Sequence, residues 1–264
     1  MPEGHTIHRA AIDHRRILAG QSLIVSSPQG RFSEGALLLT GQLCGSIEAF
    51  GKHLLYEFNN GLTLHVHLGL FGRIRKSKLP IPEPKGAVRV RLMSETHLVD
   101  ISGPTICRVL DHDNVTKLLN RIGPDVLRVD SKPDLAFRKI TRSNTPIGRL
   151  IMDQSVMAGI GNIYRSEILW RQAIHPETPG NAITRQAFDR IWEDAKTLLA
   201  VGVKKNAIIT VDRIQTSRKG YRRNFNIFGE DKCPTCKGSI RRFTINGRRA
   251  YVCDACQPIQ TTMQ

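Results

Sequence analysis

Apolar residues recur through the first twenty positions at spacings of three, four and seven: Ile7, Ala10, Ala11, Ile17 and Leu18. That spacing predicts a helix over residues 2–20 with one apolar face, and Gly20 suits its stop. From Ser22 to about Val109 the pattern becomes that of strands. Short apolar stretches (36–39, 54–58 and 62–66) alternate with Gly, Pro and Asn, and Asn60-Gly61 reads as a two-residue hairpin turn. Pro80, Pro82 and Pro84 mark a loop, and no βαβ rhythm suggests a parallel sheet. After Asp111-His112-Asp113 the periodicity turns helical, with candidates at 114–121, 133–140, 146–153, 162–172 and 184–201. Beyond Gly202 the chain is basic and loop-rich until a short β-type tail.

These elements predict an α+β, multidomain chain: a β-sandwich with a leading helix over 1–113, a helical domain over 114–215, and a basic segment with a small terminal module over 216–264. Hydrophobic residues make up 40% of the 264, enough to bury a sizeable core. Lys and Arg number 39 against 23 Asp and Glu, a net charge of +16, which attracts polyanions and makes nucleic acid the leading partner class. Residues 204–249 hold thirteen Lys or Arg and three acids, a local excess of ten positive charges. A solvated basic tail would look the same, but the cysteines imply that the segment is folded. No apolar run approaches membrane-spanning length and the N-terminus lacks a secretory core, so a cytoplasmic chain is expected.

Cys233-Pro-Thr-Cys236 and Cys253-Asp-Ala-Cys256 are two C-x₂-C knuckles separated by 16 residues. That spacing fits a zinc ribbon in which four thiolates surround one Zn²⁺ and a hairpin turning at Asn246-Gly247 links them. A redox dithiol or paired disulfides is the competing reading. A four-thiolate site leaves no open position, so the zinc would be structural. Cys44 and Cys107 read as small buried apolar residues.

The start Met1-Pro2-Glu3-Gly4 is an ordinary helix opening in itself, with Pro2 and Glu3 in the first turn. Removal of Met1, however, would expose the secondary amine of Pro2 beside the Glu3 carboxyl. An α-amino group titrates near about 7.7–8.0, so a fraction is nucleophilic at neutral pH. With these residues in view, the chain resembles the formamidopyrimidine-DNA glycosylase / endonuclease VIII family of base-excision repair enzymes. The resemblance spans nearly the full chain, in order: Pro2-Glu3-Gly4; Gly51-Lys52 at the head of a strand; the stretch Ile122 to Leu127; the stretch Met152 to Trp170, which is similar to a helix–two-turn–helix; and the terminal ribbon. The endonuclease VIII branch fits best.

The resemblance implies a role for each matching residue. Pro2 would be the nucleophile, Glu3 the acid that protonates the opening sugar, and Lys52 an assistant near the lesion's phosphates, unless it is a surface lysine. Asn162 would contact the phosphate beside the lesion, though it could simply cap the following helix. Arg165 would add a second phosphate contact or else be solvated. Arg248 at the ribbon hairpin would clamp phosphates, while Arg249 is left as surface charge. Leu70 and Phe71 would form a wedge that fills the gap left by the extruded base, unless they belong to the sandwich core. Two departures stand out: Gly69 replaces a longer wedge side chain, and His5-Thr6 stands where relatives have Pro-Glu. What the resemblance implies overall is a bifunctional glycosylase and abasic-site lyase that excises oxidised bases, pyrimidines first, by β,δ-elimination. It would act as a monomer on duplex or single-stranded damaged DNA lying in a cleft between its halves, with no small-molecule cofactor. The rival readings are a non-catalytic zinc-ribbon nucleic-acid-binding protein and a relative preferring oxidised purines.

Overall fold

The computed structural model describes residues 2–78, 80, 82–211, 215–216 and 222–259. Met1, whose removal the expected chemistry needs, and parts of the basic segment past Gly202 lie outside the described residues. The chain divides into two compact units, Met1–Arg121 and Ile122–Gln264.

The first unit opens with α1 (Gly4–Leu18), followed by β1 (Gln21–Ser22), β2 (Ile24–Ser26), α2 (Ser33–Leu39), β3 (Leu43–Phe50), β4 (His53–Phe58), β5 (Thr63–His67), β6 (Arg73–Lys78), β7 (Val88–Met93), β8 (His97–Ser102), β9 (Ile106–Leu110) and α3 (His112–Leu119). The strands form two antiparallel sheets, ordered β1-β3-β4-β5-β9 and β2-β7-β8-β6. Leu54, Tyr56, Leu64 and Val66 of one sheet share a core with Val90, Leu92, Val99 and Ile101 of the other and with Ile7, Ala11 and Leu18 of α1. The apolar stripe expected for α1 is therefore the face it buries, and Gly20, at φ +77°, ends it as predicted.

Two local expectations are corrected. The run 36–39, read as a strand, is the end of α2: Ala36 and Leu39, three apart, are buried, while Leu37 and Leu38 face solvent. A four-residue apolar run fits either element, and burial here follows helical spacing. The Asn60-Gly61 hairpin exists, but it closes by Phe58 N–H donating to the Leu62 carbonyl at 2.9 Å, so its loop has three residues with Gly61 left-handed. The first unit ends with α3. Asp111 caps α3 by accepting from the Asn114 amide at 2.8 Å, and α3 packs back on β9.

The second unit contains α4 (Pro133–Thr141), α5 (Ile147–Leu150), α6 (Asn162–Arg171) and α7 (Arg185–Lys205), then β10 (Gln215–Thr216), β11 (Arg222–Arg223), β12 (Arg241–Ile245) and β13 (Arg248–Val252). Four helices fall where periodicity put them, within a few residues. The segment 146–153 keeps only the single turn α5. Tyr164 and Ile168 of α6 pack with Phe188, Ile191 and Leu199 of α7 to form the core. β12 and β13 form the predicted hairpin, with Asn246 and Gly247 at φ +48° and +70° in its turn.

The first unit buries neutral imidazoles. Burial lowers His14 and His65 to about 3 and His5 and His53 to about 4, from 6.5. The unfolded chain therefore takes up protons before the folded one does, so this part of the stability is complete above about pH 6.5 and is lost as pH falls toward 4. Each group contributes at most ~1.4 kcal/mol per pH unit in that window. Amide-exchange protection of β4 and β5 should drop steeply between about pH 7 and pH 5; equal protection at both values would contradict this burial.

Candidate active site and nucleic-acid interface

In the first unit, α1 runs antiparallel to β3. Near its end the Gly20 amide donates to the Cys44 carbonyl at 2.7 Å, and one turn earlier Arg15 Nε donates to the Ile47 carbonyl at 2.7 Å. From Arg15 back to Glu3 the helix rises ~18 Å, and from Ile47 on to Lys52 the strand rises ~17 Å. Glu3 is not in the helix's first turn as expected. It is the residue before it, fully buried, and its side chain does not cap the helix. Pro2 is half-buried and lies outside the helix. His5 is buried as well. Its neutral form is held first by desolvation and then by the N-terminal positive charge, and its Nε2 lies 3.2 Å from the Thr6 hydroxyl.

Lys52 occupies a two-residue turn between the paired Phe50 and His53, with Gly51 at φ +57°. At the same end of the sheet, β5 finishes at His67, the register partner of His53, and leads into the loop 68–72. Leu68 is buried in the core at 2% exposure, whereas Leu70 is 37% and Phe71 85% exposed. The core reading therefore fails for Phe71, a bare aromatic ring beside the Lys52 turn. The loop is shaped by its glycines. Gly72 N–H donates to the Leu68 carbonyl at 3.0 Å, and a Cβ on Gly72 would meet that oxygen at 2.4 Å. Gly69 has φ +65°, and a Cβ there would come within 1.8 Å of Thr105 Oγ1. Thr105 fills the space a longer side chain would need, which explains the departure at Gly69.

In the second unit, Gly161 caps α6 with extended backbone, so Asn162 is the first helical residue and not the cap. Asn162 Nδ2 donates to the Arg249 carbonyl at 3.1 Å, and Arg165 donates to the same carbonyl at 2.9 Å and to Asn162 Oδ1. Arg165, expected at phosphates, is 1% exposed with its guanidinium turned inward, where it fixes Asn162 and the hairpin. Arg248 stands at the hairpin's tip, paired in register with Ile245. The backbone of Arg249 is the acceptor that ties the hairpin to α6, a role no side-chain pattern could signal. Glu167, also missed, is fully buried. Its two oxygens accept from Thr210 Oγ1 at 2.6 Å, from the Asn226 amide and side chain at 2.8 and 3.0 Å, and from the Ile227 and Phe228 amides at 2.9 and 2.8 Å.

The four cysteines of the ribbon converge, with their sulfurs within 4.8 Å of one another. Cys236 and Cys253 Sγ are 3.4 Å apart, and Cys233 and Cys256 Sγ are 3.8 Å apart. A disulfide would need about 2.05 Å, whereas a tetrahedral ion at ~2.3 Å from each sulfur separates them by about 3.8 Å. Burial raises Cys233, but the amides of Cys236 and Thr235 and the Trp170 side chain outweigh it and lower the thiol; burial and three sulfur neighbours push Cys256 up. Four thiolates this close need a cation among them, so the donor set fits a metal.

Residues 1–104 match the family model described as the formamidopyrimidine-DNA glycosylase N-terminal domain, and residues 122–213 match its H2TH domain. "Endonuclease 8 1" of Mycobacterium tuberculosis (strain ATCC 25618 / H37Rv) is 41% identical over 274 residues, covering 97% of this chain and 100% of that protein. The chain belongs to the formamidopyrimidine-DNA glycosylase / endonuclease VIII family. "Formamidopyrimidine-DNA glycosylase" of Geotalea uraniireducens (strain Rf4), another member, is 32% identical over 230 residues, covering 83% of this chain and 84% of that protein. A solved complex between the Lactococcus lactis Fpg and an abasic site containing DNA shares the fold at TM-score 0.81 and 22% identity, covering 97% of this chain and 100% of that one. Within the family frame, the N-terminal match holds Pro2, Glu3, Lys52, Leu70 and Phe71, and the H2TH match holds Asn162, Arg165 and Glu167.

The Gly69–Thr105 contact predicts a specific non-additivity. Gly69→Ala should destabilise by about 2–3 kcal/mol, of which 1–2 come from the left-handed backbone and the rest from the clash. Thr105→Ala should relieve only the clash portion in the double variant, as read by urea midpoints. Full additivity of the two changes would show that the loop relaxes away from Thr105.

Proposed function

We propose that the reaction centre is the amine of Pro2, exposed by removal of Met1, with Glu3 as its acid. The chain is a base-excision repair DNA glycosylase with abasic-site lyase activity. The observation that carries the assignment is the full burial of Glu3 directly before α1. A module that only binds nucleic acid has no use for a buried acid beside its terminal amine.

In this reading the Pro2 nitrogen lone pair bonds to C1′ of the damaged nucleotide as the N-glycosidic bond breaks and the base leaves with that electron pair. The Pro2 N–H proton passes through solvent to the departed base, and Glu3 gives its proton to O4′ as the nitrogen lone pair opens the C1′–O4′ bond, leaving a cationic iminium between Pro2 and C1′. Loss of a C2′ proton to solvent expels the 3′ phosphate, a second elimination expels the 5′ phosphate, and water frees Pro2. Lys52 holds a phosphate beside the lesion, and Asn162 and Arg248 hold phosphates from the second unit, Asn162 at a helix N-terminus. Arg165 is a positioning residue for Asn162. A Zn²⁺ held by Cys233, Cys236, Cys253 and Cys256 would supply no step of the chemistry; it would keep the hairpin carrying Arg248 folded.

Leu70 and Phe71 are assigned as the wedge that replaces the extruded base. They come from one loop, while the other turn at this end, 103–105, offers only Gly103, Pro104 and Thr105. This contiguous wedge, together with the similarity to endonuclease 8 relatives, supports oxidised pyrimidines as the substrate class. We place the enzyme in the cytoplasm as a monomer; among the described residues no helix is long and apolar enough to cross a membrane.

Two outcomes are expected. A folded variant with a short extension ahead of Pro2 should lose borohydride trapping on abasic-site DNA, and Glu3→Gln should lose base excision while still binding; normal cleavage by the extended protein would refute the Schiff base at Pro2. Phe71→Ala should lower excision on duplex by about 5- to 150-fold, the value of ~1–3 kcal/mol of stacking, and on single strands far less. Equal loss on both would assign Phe71 a packing role instead.

A further inference from the structure

Three histidines gather beside Lys52, and the chemistry above uses none of them. His53 at the start of β4 and His67 at the end of β5 are register partners, with ring centroids 4.9 Å apart. His65, two residues before His67, is fully buried, and its Nε2 lies 2.9 Å from His53 Nδ1. His65 Nδ1 is sealed in the interior with no partner.

Those contacts decide where the protons sit. Either His65 Nε2–H donates to His53 Nδ1, or His53 Nδ1–H donates to His65 Nε2. The second choice would leave an N–H on His65 Nδ1 buried and orphaned; the first leaves only a bare lone pair there. Orphaned buried donors are rarer than under-satisfied acceptors, so the first arrangement holds. His53 then carries its hydrogen on Nε2. His67 is fixed the same way, because its Nδ1 accepts from the Gly69 amide at 3.1 Å. Neither Nε2 is among the sealed, unpartnered nitrogens, and both rings are half-buried, so both N–H groups reach the surface.

We infer that His53 is a neutral hydrogen-bond donor to the lesion-flanking phosphate held by Lys52, and that His65 is the positioning residue that fixes its tautomer. The inference rests on the phosphate role given above to Lys52. Charge supports it. His53 is lowered to about 4, first by burial and then by His67, Lys52 and Arg108, the charged and titratable groups facing it from β5, the turn and β9. A ring so placed stays neutral at working pH, donating without adding positive charge to a crowded basic site. A neutral donor also differs from a cation in a measurable way: it releases no counterion when it meets a phosphate.

The experiment is binding to a duplex carrying a reduced, non-cleavable abasic site across a salt series, with tautomers read by long-range ¹H–¹⁵N NMR of the free protein. His53→Ala should weaken binding about tenfold, the worth of a hydrogen bond to a charged group, with the salt slope unchanged, and His53→Gln should recover part of the loss. Lys52→Ala should reduce the slope by about one. His65→Phe should mix the His53 tautomers and weaken binding, with His65→Gln, which keeps an N–H donor, restoring both. Wild-type binding by His53→Ala, a slope reduced by one in that variant, or a hydrogen on His53 Nδ1 in the wild type would each overturn the inference. A Lys52→Ala slope equal to wild type would instead refute the phosphate role of Lys52. If His65→Phe does not fold, the His53 variants and the wild-type tautomer still decide the matter.

Discussion

Glu167 is a buried carboxylate in the middle of α6, and it is surrounded by donors from a stretch of chain some 40 to 60 residues later in sequence. Its oxygens end the backbone amides of 226–228, where the chain leaves the basic segment and enters the ribbon. Charge-assisted bonds of this kind are worth more than neutral ones, and a carboxylate in an apolar core is tolerable only when it is fully satisfied. The arrangement therefore works in one direction only. The amides must be where they are for Glu167 to be buried, and with Glu167 buried they can go nowhere else. The ribbon inherits its starting point from that constraint. It is then fixed twice more, by Asn162 and Arg165 on the Arg249 carbonyl and by the buried Gln257, which donates to the Ile174 carbonyl at 2.7 Å. Arg248 owes its place to backbone and buried contacts around it, with the four cysteines closing the far end.

The first unit solves a comparable problem with lengths. A helix rises less than half as far per residue as a strand, so a fifteen-residue α1, ~22 Å long, lies along most of an eight-residue β3, ~26 Å long. Two hydrogen bonds, from the Arg15 side chain and from the Gly20 amide just past α1, set the pairing. The loop that follows β5 then needs two glycines to keep Leu68 in the core while turning Phe71 outward. Leu70 and Phe71 are thereby left side by side at the surface.

Charge is sorted by depth. The chain carries a large positive excess, yet its deeply buried ionisable groups are neutral or answered: the imidazoles of His5, His14, His53 and His65 are held uncharged, and the guanidinium of Arg91 meets Asp100 through two bonds of 2.7 and 2.8 Å. Histidine thereby supplies polar groups near Lys52 without further cationic repulsion.

Local patterns were enough for much of this. Helical spacing located α1, α4, α6 and α7 because each buries one face or more, and the cysteine knuckles with Asn246-Gly247 defined the ribbon because metal geometry and a left-handed turn demand those residue types. The start Pro2-Glu3 was legible as a candidate nucleophile and acid, while Lys52, Leu70 and Phe71 became candidates only through the family resemblance. Tertiary structure decided the rest. Ala36–Leu39 became a helix because burial, not the short apolar run, picks the period. Arg165 turned inward because an acceptor, the Arg249 carbonyl, waits there, and a carbonyl has no signature in sequence. Glu167 was silent for the same reason, since its partners lie 43 to 61 residues along the chain; His53 and His65, 12 apart, meet only because β4 and β5 pair in this register.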